Sequence, residues 1–347
     1  MAFPDDKLAQ EIETFAVRLA TGAGEILAAH FGRQISIEYK DKAHRDPVTA
    51  ADTTCQEFLV AEISRRFPDH GILGEEDADT SDAPGTACPD YLWVLDPLDG
   101  TTNFLNGLPV YASSIGVLHR GRPLAGALYI PWPKPGGGFV MHCRRGGGCF
   151  ADGEPVAVYQ SDEPGSNRLA GLPGSFAHTF RFSGSVHSDR GEPRTTGSTA
   201  YELAMTASGV LQYSIHGSPH LWDVAAGALA VAEAQGTVMA RLPGEKQWHP
   251  LGSLVPTWET RPPSLRELRR WVAPLVAGNQ RVAPLIAHGI RPRFRLSAKL
   301  HRLARPFRSK KQPAKKQPGL DALTPQPDNH SAGKGNGEVR AWRSSKG

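Results

Sequence analysis

The chain has 347 residues, 39% hydrophobic and 21% charged, an ordinary soluble composition with length enough for a well-buried core. No run approaches the roughly 18 apolar residues of a membrane span. The start, MAFPDDKLAQEIE, is acidic where a signal peptide is basic and then apolar, so a cytoplasmic enzyme is expected. The net charge of +4 hides an asymmetry. From Arg291 onward 15 Lys and Arg stand against three acids (Asp321, Asp328, Glu338), which leaves 24 basic and 32 acidic residues before it: a body of −8 and a tail of +12. Four cysteines (Cys55, Cys88, Cys143, Cys149) lack any C-x-x-C pairing and read as reduced thiols rather than zinc ligands or a disulfide framework.

In chain order, Leu8, Ile12, Phe15, Leu19, Ile26 and Leu27 recur on a helical period, predicting a helix over residues 5–31 that Gly32 closes. Residues 35–39 alternate as a strand, 40–45 form a polar loop, and DPVTAAD (46–52) opens a second helix to about residue 67. HGILG (70–74) is a short apolar strand leading into Glu75-Glu76-Asp77. The next stretch, YLWVLDPLDGTTNF (91–104), begins as a buried strand. It delivers Asp96 to its end, where Pro97 rules out a continuing ladder. Asp99 follows, with the Leu98 carbonyl between the two acids, then Gly100, which lets the backbone approach a ligand closely, and the hydroxyls of Thr101 and Thr102. An oxygen-only set suits a hard divalent cation, Mg²⁺ before Zn²⁺. A helix opening at Thr101 would also offer N–H groups to an anion. Taken alone, D-P-x-D-G is an ordinary turn after a strand. Its acidic company, upstream at Glu75 and downstream at Asp223, argues for more.

Residues 111–118, 124–130 and 139–142 read as successive strands of a meander. Arg145-Gly146-Gly147-Gly148 lacks the G-x-G-x-x-G spacing and precedes a strand, so it reads as a structural turn. After Asp162 a second half begins. Residues 169–172 fit a strand, 176–182 fit either helix or strand, and RTTGSTA (194–200) turns into a helix over 200–208. Residues 210–215 form the strand ahead of His216. HLWDVAAG (220–227) sets Asp223 before a small-residue helix over 225–234 able to pack tightly on a sheet, with Glu233 expected in solvent. Residues 237–241, 268–276 and 283–290 read as closing elements, and 248–263 fits no pattern. The tail over 291–316 has eleven Lys and Arg and no acid. Leu296, Leu300, Leu303 and Phe307 give it the spacing of an amphipathic helix for an anionic membrane or an acidic partner. A disordered extension fits the composition as well. Nothing resembles a nucleic-acid platform.

Glu75 after its strand, then WVLDPLDGTTNF, then WDVAAG, in this order and at about this spacing, resemble the inositol monophosphatase family of Mg²⁺-dependent, lithium-sensitive phosphomonoesterases. The resemblance runs from about residue 12 to 287. The Thr-Thr-Asn ending is similar to the inositol and fructose-bisphosphate branch. The resemblance implies a layered α-β-α-β-α sandwich, a catalytic domain over 1–290 (halves 1–160 and 161–290) followed by the 291–347 tail, and a homodimer. It implies that Glu75, Asp96 and the Leu98 carbonyl hold one Mg²⁺, that Asp96, Asp99 and Asp223 hold a second, and that a third, looser ion sits near Glu75. Thr101, hydrogen-bonded to Asp52, and Glu75 would orient the attacking water, although Asp52 also fits a helix-capping acid. Asp99, Gly100, Thr101, Thr102, Gly197 and Thr199 would contact substrate, although Gly197-Ser198-Thr199 also fits an ordinary helix cap. A family lysine near the outer metals corresponds only loosely to Lys40 or Lys42.

One departure bears on the substrate. Inositol-specific members carry a glutamate seven residues before the last catalytic aspartate, where it holds sugar hydroxyls. Here that position is His216, with no acid between Val210 and Trp222. A histidine makes one hydrogen bond where a carboxylate clasps two hydroxyls, and His216 also fits a plain loop residue. The expected activity is that of a phosphoric monoester hydrolase acting on inositol 1-phosphate or a similar sugar or polyol phosphate. Histidinol phosphate, fructose 1,6-bisphosphate and 3′-phosphoadenosine-type substrates are the alternatives within the superfamily. A non-catalytic module anchored by the basic tail is the alternative outside it.

Overall fold

A computed structural model of the chain describes residues 5–33, 37–39, 47–77, 87–132, 138–187 and 190–293. These lie in one compact unit, Met1–Phe294. Lys40, Lys42 and the tail beyond Arg293 fall outside the described residues.

Helix α1 (Asp6–His30) starts at Asp5, whose side chain accepts from the Lys7 N–H, and buries Ile12, Phe15, Leu19 and Leu27 on one stripe. Helix α2 (Ala50–Arg66) starts at Thr49 with a reciprocal capping box to Asp52. The first sheet has seven strands: β1 (Gly71–Gly74), β2 (Tyr91–Asp99), β3 (Ala112–His119), β4 (Arg122–Ile130), β5 (Phe139–Arg144), β6 (Gly148–Ala151) and β7 (Glu154–Pro155), side by side in chain order. Only β1 and β2 are parallel; the rest is the antiparallel meander the turn residues predicted.

Both faces of this sheet are covered, which explains why β2 is an unbroken apolar run. Trp93 and Leu95 pack with α1 and α2. Leu92 and Val94 pack with two further helices, α4 (Thr199–Ala207) and α5 (Leu221–Glu233). The side chains alternate between the faces because a strand's period is two. Helix α5 lies close because its partners lack side chains: a Cβ on Gly116 would stand 2.6 Å from Ala225 Cβ, and one on Gly126 would stand 2.9 Å from Ala226 Cα.

On the far side of α4 and α5 is a six-stranded sheet made of β8 (Leu169–Gly171), β9 (Glu192–Arg194), β10 (Leu211–His216), β11 (Gly236–Ala240), β12 (His249–Pro250) and β13 (Leu275–Asn279), in the order β9-β8-β10-β13-β11-β12. Helix α6 (Val282–Gly289) closes its outer face, with Ile286 packed against Tyr213, Ile215 and Val276. The layers are therefore α-β-α-β-α, as expected.

Four details differ from the sequence reading. The β2 ladder does not stop at Pro97. Asp96 pairs with Ser114 and Asp99 with Ala112, with a register shift between them, so the proline sits where the pairing slips and its missing N–H costs nothing. Residues 176–182 are both alternatives at once, a turn of helix (Phe176–Thr179) and a strand (Phe180–Phe182). That strand pairs with Ile290–Pro292, so the tail's first residues belong to the folded body. Glu233 is engaged: its carboxylate accepts from the Gly146 and Gly148 N–H groups at 2.9 and 3.1 Å and pins the glycine turn to α5. All four cysteines are buried and none forms a disulfide, and no described helix is long and apolar enough to cross a membrane.

Candidate active site

The site forms where β1 and β2 end and α5 begins. Asp96 is 1% exposed because the strand that carries it is covered on both faces. Its Oδ1 accepts from the Leu98 N–H at 3.1 Å, a turn that leaves Asp99 at the rim. Asp96 is hydrogen-bonded to Glu75 and to Asp223, and its proton affinity lies well above the carboxylate norm, through burial first and then through the charges of Glu75, Asp99 and Asp223. Asp223 is pushed the same way by burial and by Asp99. Asp99 is pushed up to about 7, again by burial, against the opposing effect of its bonds to Ala200 and Ser198. Four acids from three segments, the end of β1, β2 and α5, thus share one neighbourhood. Carboxylates this close do not all remain ionised without a counter-charge.

Each acid is held by the chain. The Glu75 N–H donates to the Leu95 carbonyl at 3.0 Å, continuing the β1–β2 pairing by one residue. The two acids after it part company. Asp77 accepts from the Gly74 N–H, from Gln56 Nε2 and from Arg269 Nη2, each at 2.8 Å, and the Glu76 N–H donates to Gln56 Oε1 at 3.0 Å. Of Glu75-Glu76-Asp77, then, Asp77 belongs to a brace, and Glu75 is the acid whose charge acts on Asp96 and Asp223. Asp99 Oδ2 accepts from Ser198 Oγ at 2.9 Å and from the Ala200 N–H, clamping the start of α4. Asp223, in the first turn of α5, accepts from the His220 N–H at 2.8 Å.

Thr101 begins a five-residue helix, α3 (Thr101–Leu105), entered through Gly100 at φ +93°. A side chain there would be strained and would meet the Val110 carbonyl and Ser198 Cβ at 3.1 Å. Thr101 Oγ1 lies 3.3 Å from Asp52 Oδ1 and 3.0 Å from the Leu98 carbonyl. Asp52 is 1% exposed, its affinity for a proton raised by burial against two bonds from Thr49. It is at once a capping residue and the partner of Thr101. Thr102 is exposed, and its carbonyl accepts from Asn106 Nδ2 at 2.8 Å.

Beside the acids opens a cavity of about 450 Å³, walled by Gly197, Thr199, His216 and Asp223 among others. His216 ends a strand rather than sitting in a loop; its Nε2 is 3.0 Å from Ser214 Oγ, and burial lowers its pKa to about 4. Facing it, 3.7 Å from Nδ1, is Glu202 Oε2. Sequence reasoning missed Glu202. It is 5% exposed, lines the same cavity, and burial raises it to about 7 while Thr196 N–H and Oγ1 donate to its other oxygen. The only trace in the sequence is that Glu202 is the one charged residue of Ala200–Ala207, a stretch that folding buries throughout. Asn103 was missed too; its Nδ2 bridges the Val110 and Thr196 carbonyls at 2.6 and 2.7 Å, tying α3 to the loop that enters α4.

The donor set fits a hard divalent cation by its chemistry: oxygen only, buried, and mutually repelling. Among the described residues, no group of three His, Cys, Asp or Glu is already arranged as a finished metal site. Asp99 is turned toward α4, and the Glu75–Asp96 and Asp96–Asp223 pairs share hydrogen bonds. The bonds shared between acids need a proton where a cation would supply the charge.

The inositol monophosphatase family profile matches residues 8–273. The chain belongs to this family. It is 30% identical over 225 residues to the fructose-1,6-bisphosphatase/inositol-1-monophosphatase of Aquifex aeolicus, covering 62% of this chain and 81% of that one. It is 33% identical over 242 residues to inositol monophosphatase 2 of Solanum lycopersicum, covering 66% and 87%. Among solved structures, inositol monophosphatase from Anabaena superposes with a TM-score of 0.59 at 25% identity, over 84% of this chain and 99% of that one. The inositol monophosphate-bound SaIMPase-II shares the fold, with a TM-score of 0.56 at 21% identity over 80% and 92%.

Proposed function

We propose that this family member hydrolyses a small phosphate monoester of a sugar or polyol, inositol 1-phosphate or a close analogue, with Mg²⁺ as cofactor. The observation that carries the reading is the meeting of Glu75, Asp96, Asp99 and Asp223, from three separate segments, beside the cavity that Asp223 lines. Together with the Leu98 carbonyl they would hold two cations, with a third near Glu75. When bound, the ions supply charge neutralisation for the phosphate oxygens and the leaving alkoxide.

The chain's own residues do the rest. Thr101 Oγ1 gives its proton toward Asp52 or the Leu98 carbonyl, which turns a lone pair outward to take a hydrogen bond from the attacking water. Asp52, made more basic by burial, is suited to receive that proton. Glu75 would orient the same water. The Gly100–Thr102 turn faces the phosphate, and Gly197 and Thr199 border the space for the alcohol. The sugar's hydroxyls would meet Glu202 and His216. Glu202 supplies from α4 the carboxylate that β10 lacks, and its acceptor oxygens suit a polyhydroxy alcohol. A cytoplasmic homodimer belongs to the same reading, checked by light scattering and cell fractionation.

The test is phosphate release from a panel of sugar, polyol and nucleotide monoesters with and without Mg²⁺. Release should depend on the metal and favour polyols, and Asp96→Asn should abolish it while leaving the circular dichroism spectrum unchanged. Full Mg²⁺-dependent turnover by Asp96→Asn would refute the site.

A further inference from the structure

Cys143 on β5 and Cys149 on β6 face each other across a hairpin, as direct register partners in the antiparallel pairing. Both side chains enter the same apolar cluster, at 0% and 2% exposure, and the two thiols are close enough to share a hydrogen bond. We propose that this hairpin is a redox site, at which Cys143 and Cys149 form a reversible intramolecular disulfide when a small two-electron oxidant such as hydrogen peroxide reaches them. The inference stands apart from the phosphatase reading and does not depend on it.

Three observations carry it. First, the register is the one a disulfide needs. The Cys149 carbonyl accepts from the Val156 N–H at 3.0 Å, so its backbone groups turn toward the β7 side and away from β5. Cys143 and Cys149 are therefore a non-hydrogen-bonded pair. Pairs of that kind hold their Cα atoms about 4.5 Å apart, within the roughly 4.4–6.8 Å that a disulfide spans. Neither remaining cysteine has a cysteine for a register partner. Cys55 lies on α2 with its thiol donating to the Pro97 carbonyl at 3.7 Å, and Cys88 precedes β2 with its N–H on the Pro263 carbonyl. Second, the turn between the two thiols is fixed by other contacts. Glu233 accepts from the Gly146 and Gly148 N–H groups, and the Arg145 N–H donates to the Leu124 carbonyl at 2.9 Å. The sulfurs are thus presented to each other before any bond forms. Third, the pair lies near the margin of the sheet. The last strand, β7, is two residues long and exposed at both, and short margins open locally at lower cost than central strands. Such an opening admits a molecule the size of peroxide.

The chemistry balances. Burial, then the contact with Cys149 and the charges of Glu13 and Glu233, hold the proton on Cys143, so the first attack falls to Cys149. Its thiolate attacks one peroxide oxygen and the O–O bond breaks, leaving a sulfenic acid and, with the thiol's proton, water. The Cys143 sulfur then attacks the sulfenic sulfur, the S–O bond breaks, and the hydroxyl departs with the Cys143 proton as a second water. Two thiols and one hydrogen peroxide become one disulfide and two waters.

The test treats the full, reduced chain with hydrogen peroxide at mildly alkaline pH, then unfolds, alkylates and digests it for mass spectrometry. Titratable thiols should fall from the four of the sequence to two. The peptides carrying Cys143 and Cys149 should be joined, lighter by two hydrogen atoms than their sum, and dithiothreitol should restore all the thiols. In Cys143→Ala the cross-link should vanish, and dimedone should label Cys149 as a sulfenic acid. Survival of every thiol under peroxide that fully oxidises glutathione in the same tube would overturn the proposal. So would a sulfinic or sulfonic acid at either position of the natural sequence, or a bond between two chains on a non-reducing gel. Should Cys143→Ala not fold, the peptide map of the natural sequence decides alone.

Discussion

Thr101 illustrates how much a single hydroxyl is asked to do. It sits 3.3 Å from Asp52 and 3.0 Å from the Leu98 carbonyl and has one proton to give, so it couples a buried base to whatever stands in front of it. Thr101→Ala removes that coupling and leaves the acids in place. The expected result is a kcat lower by about 10²- to 10⁴-fold with KM little changed, measured by steady-state phosphate release. A second prediction concerns Glu202. Burial raises its pKa from the ordinary 4.5 to about 7, so the native state holds its proton more tightly than the unfolded chain does. The resulting stabilisation is complete below about pH 4.5 and is lost as pH rises through 7. Glu202→Gln removes the titration. Urea midpoints should therefore show the variant gaining on the natural sequence between pH 5 and 8, by on the order of 3 kcal/mol; parallel profiles would show that Glu202 is solvated.

Elements matter here for what they hold still. Glu75 is fixed from outside its own strand: Arg269, nearly 200 residues away in sequence, donates to the Gly74 carbonyl at 3.2 Å and to Asp77 at 2.8 Å, and Gln56 on α2 completes the brace. Arg269→Met should loosen the end of β1 while leaving the hydrophobic core untouched. The expected effect is a Mg²⁺ requirement raised by about 10- to 100-fold, read from activity against Mg²⁺ concentration, with an unchanged thermal midpoint in the absence of metal. Helix α5 makes the complementary point. Its alanines meet Gly116 and Gly126 of the sheet at backbone distance, and that contact brings Asp223 to Asp96. The small residues of WDVAAG are as much a part of the site as its acid.

At the scale of the whole molecule, the five layers bring one end of each sheet to a common mouth, and the acids there are stacked against their own repulsion. A cation that binds the native state and not the unfolded chain must therefore stabilise it. With Mg²⁺ at about one hundred times its dissociation constant, the gain is about 2.7 kcal/mol. Calorimetric melts with Mg²⁺ and with a chelator should differ accordingly, and coincident melts would show that the acids bind no ion.

The layer order followed only from the family resemblance, whereas the meander, both capped N-terminal helices and the acids at positions 75, 96, 99 and 223 were legible in the linear sequence itself. They rest on local chemistry: period-two and period-3.6 burial, turn residues, and a strand that runs straight into carboxylates. Three things required the tertiary structure. Pro97 stays in its ladder because β3 shifts register opposite it. Glu202 becomes a cavity residue only when α4 is packed between two sheets. Arg181 and Arg293 reach one cavity because Ile290–Pro292, at the start of what reads as a tail, returns to pair with Phe180–Phe182. Each depends on contacts between segments far apart in the chain, and composition and periodicity carry no record of which distant segments will meet.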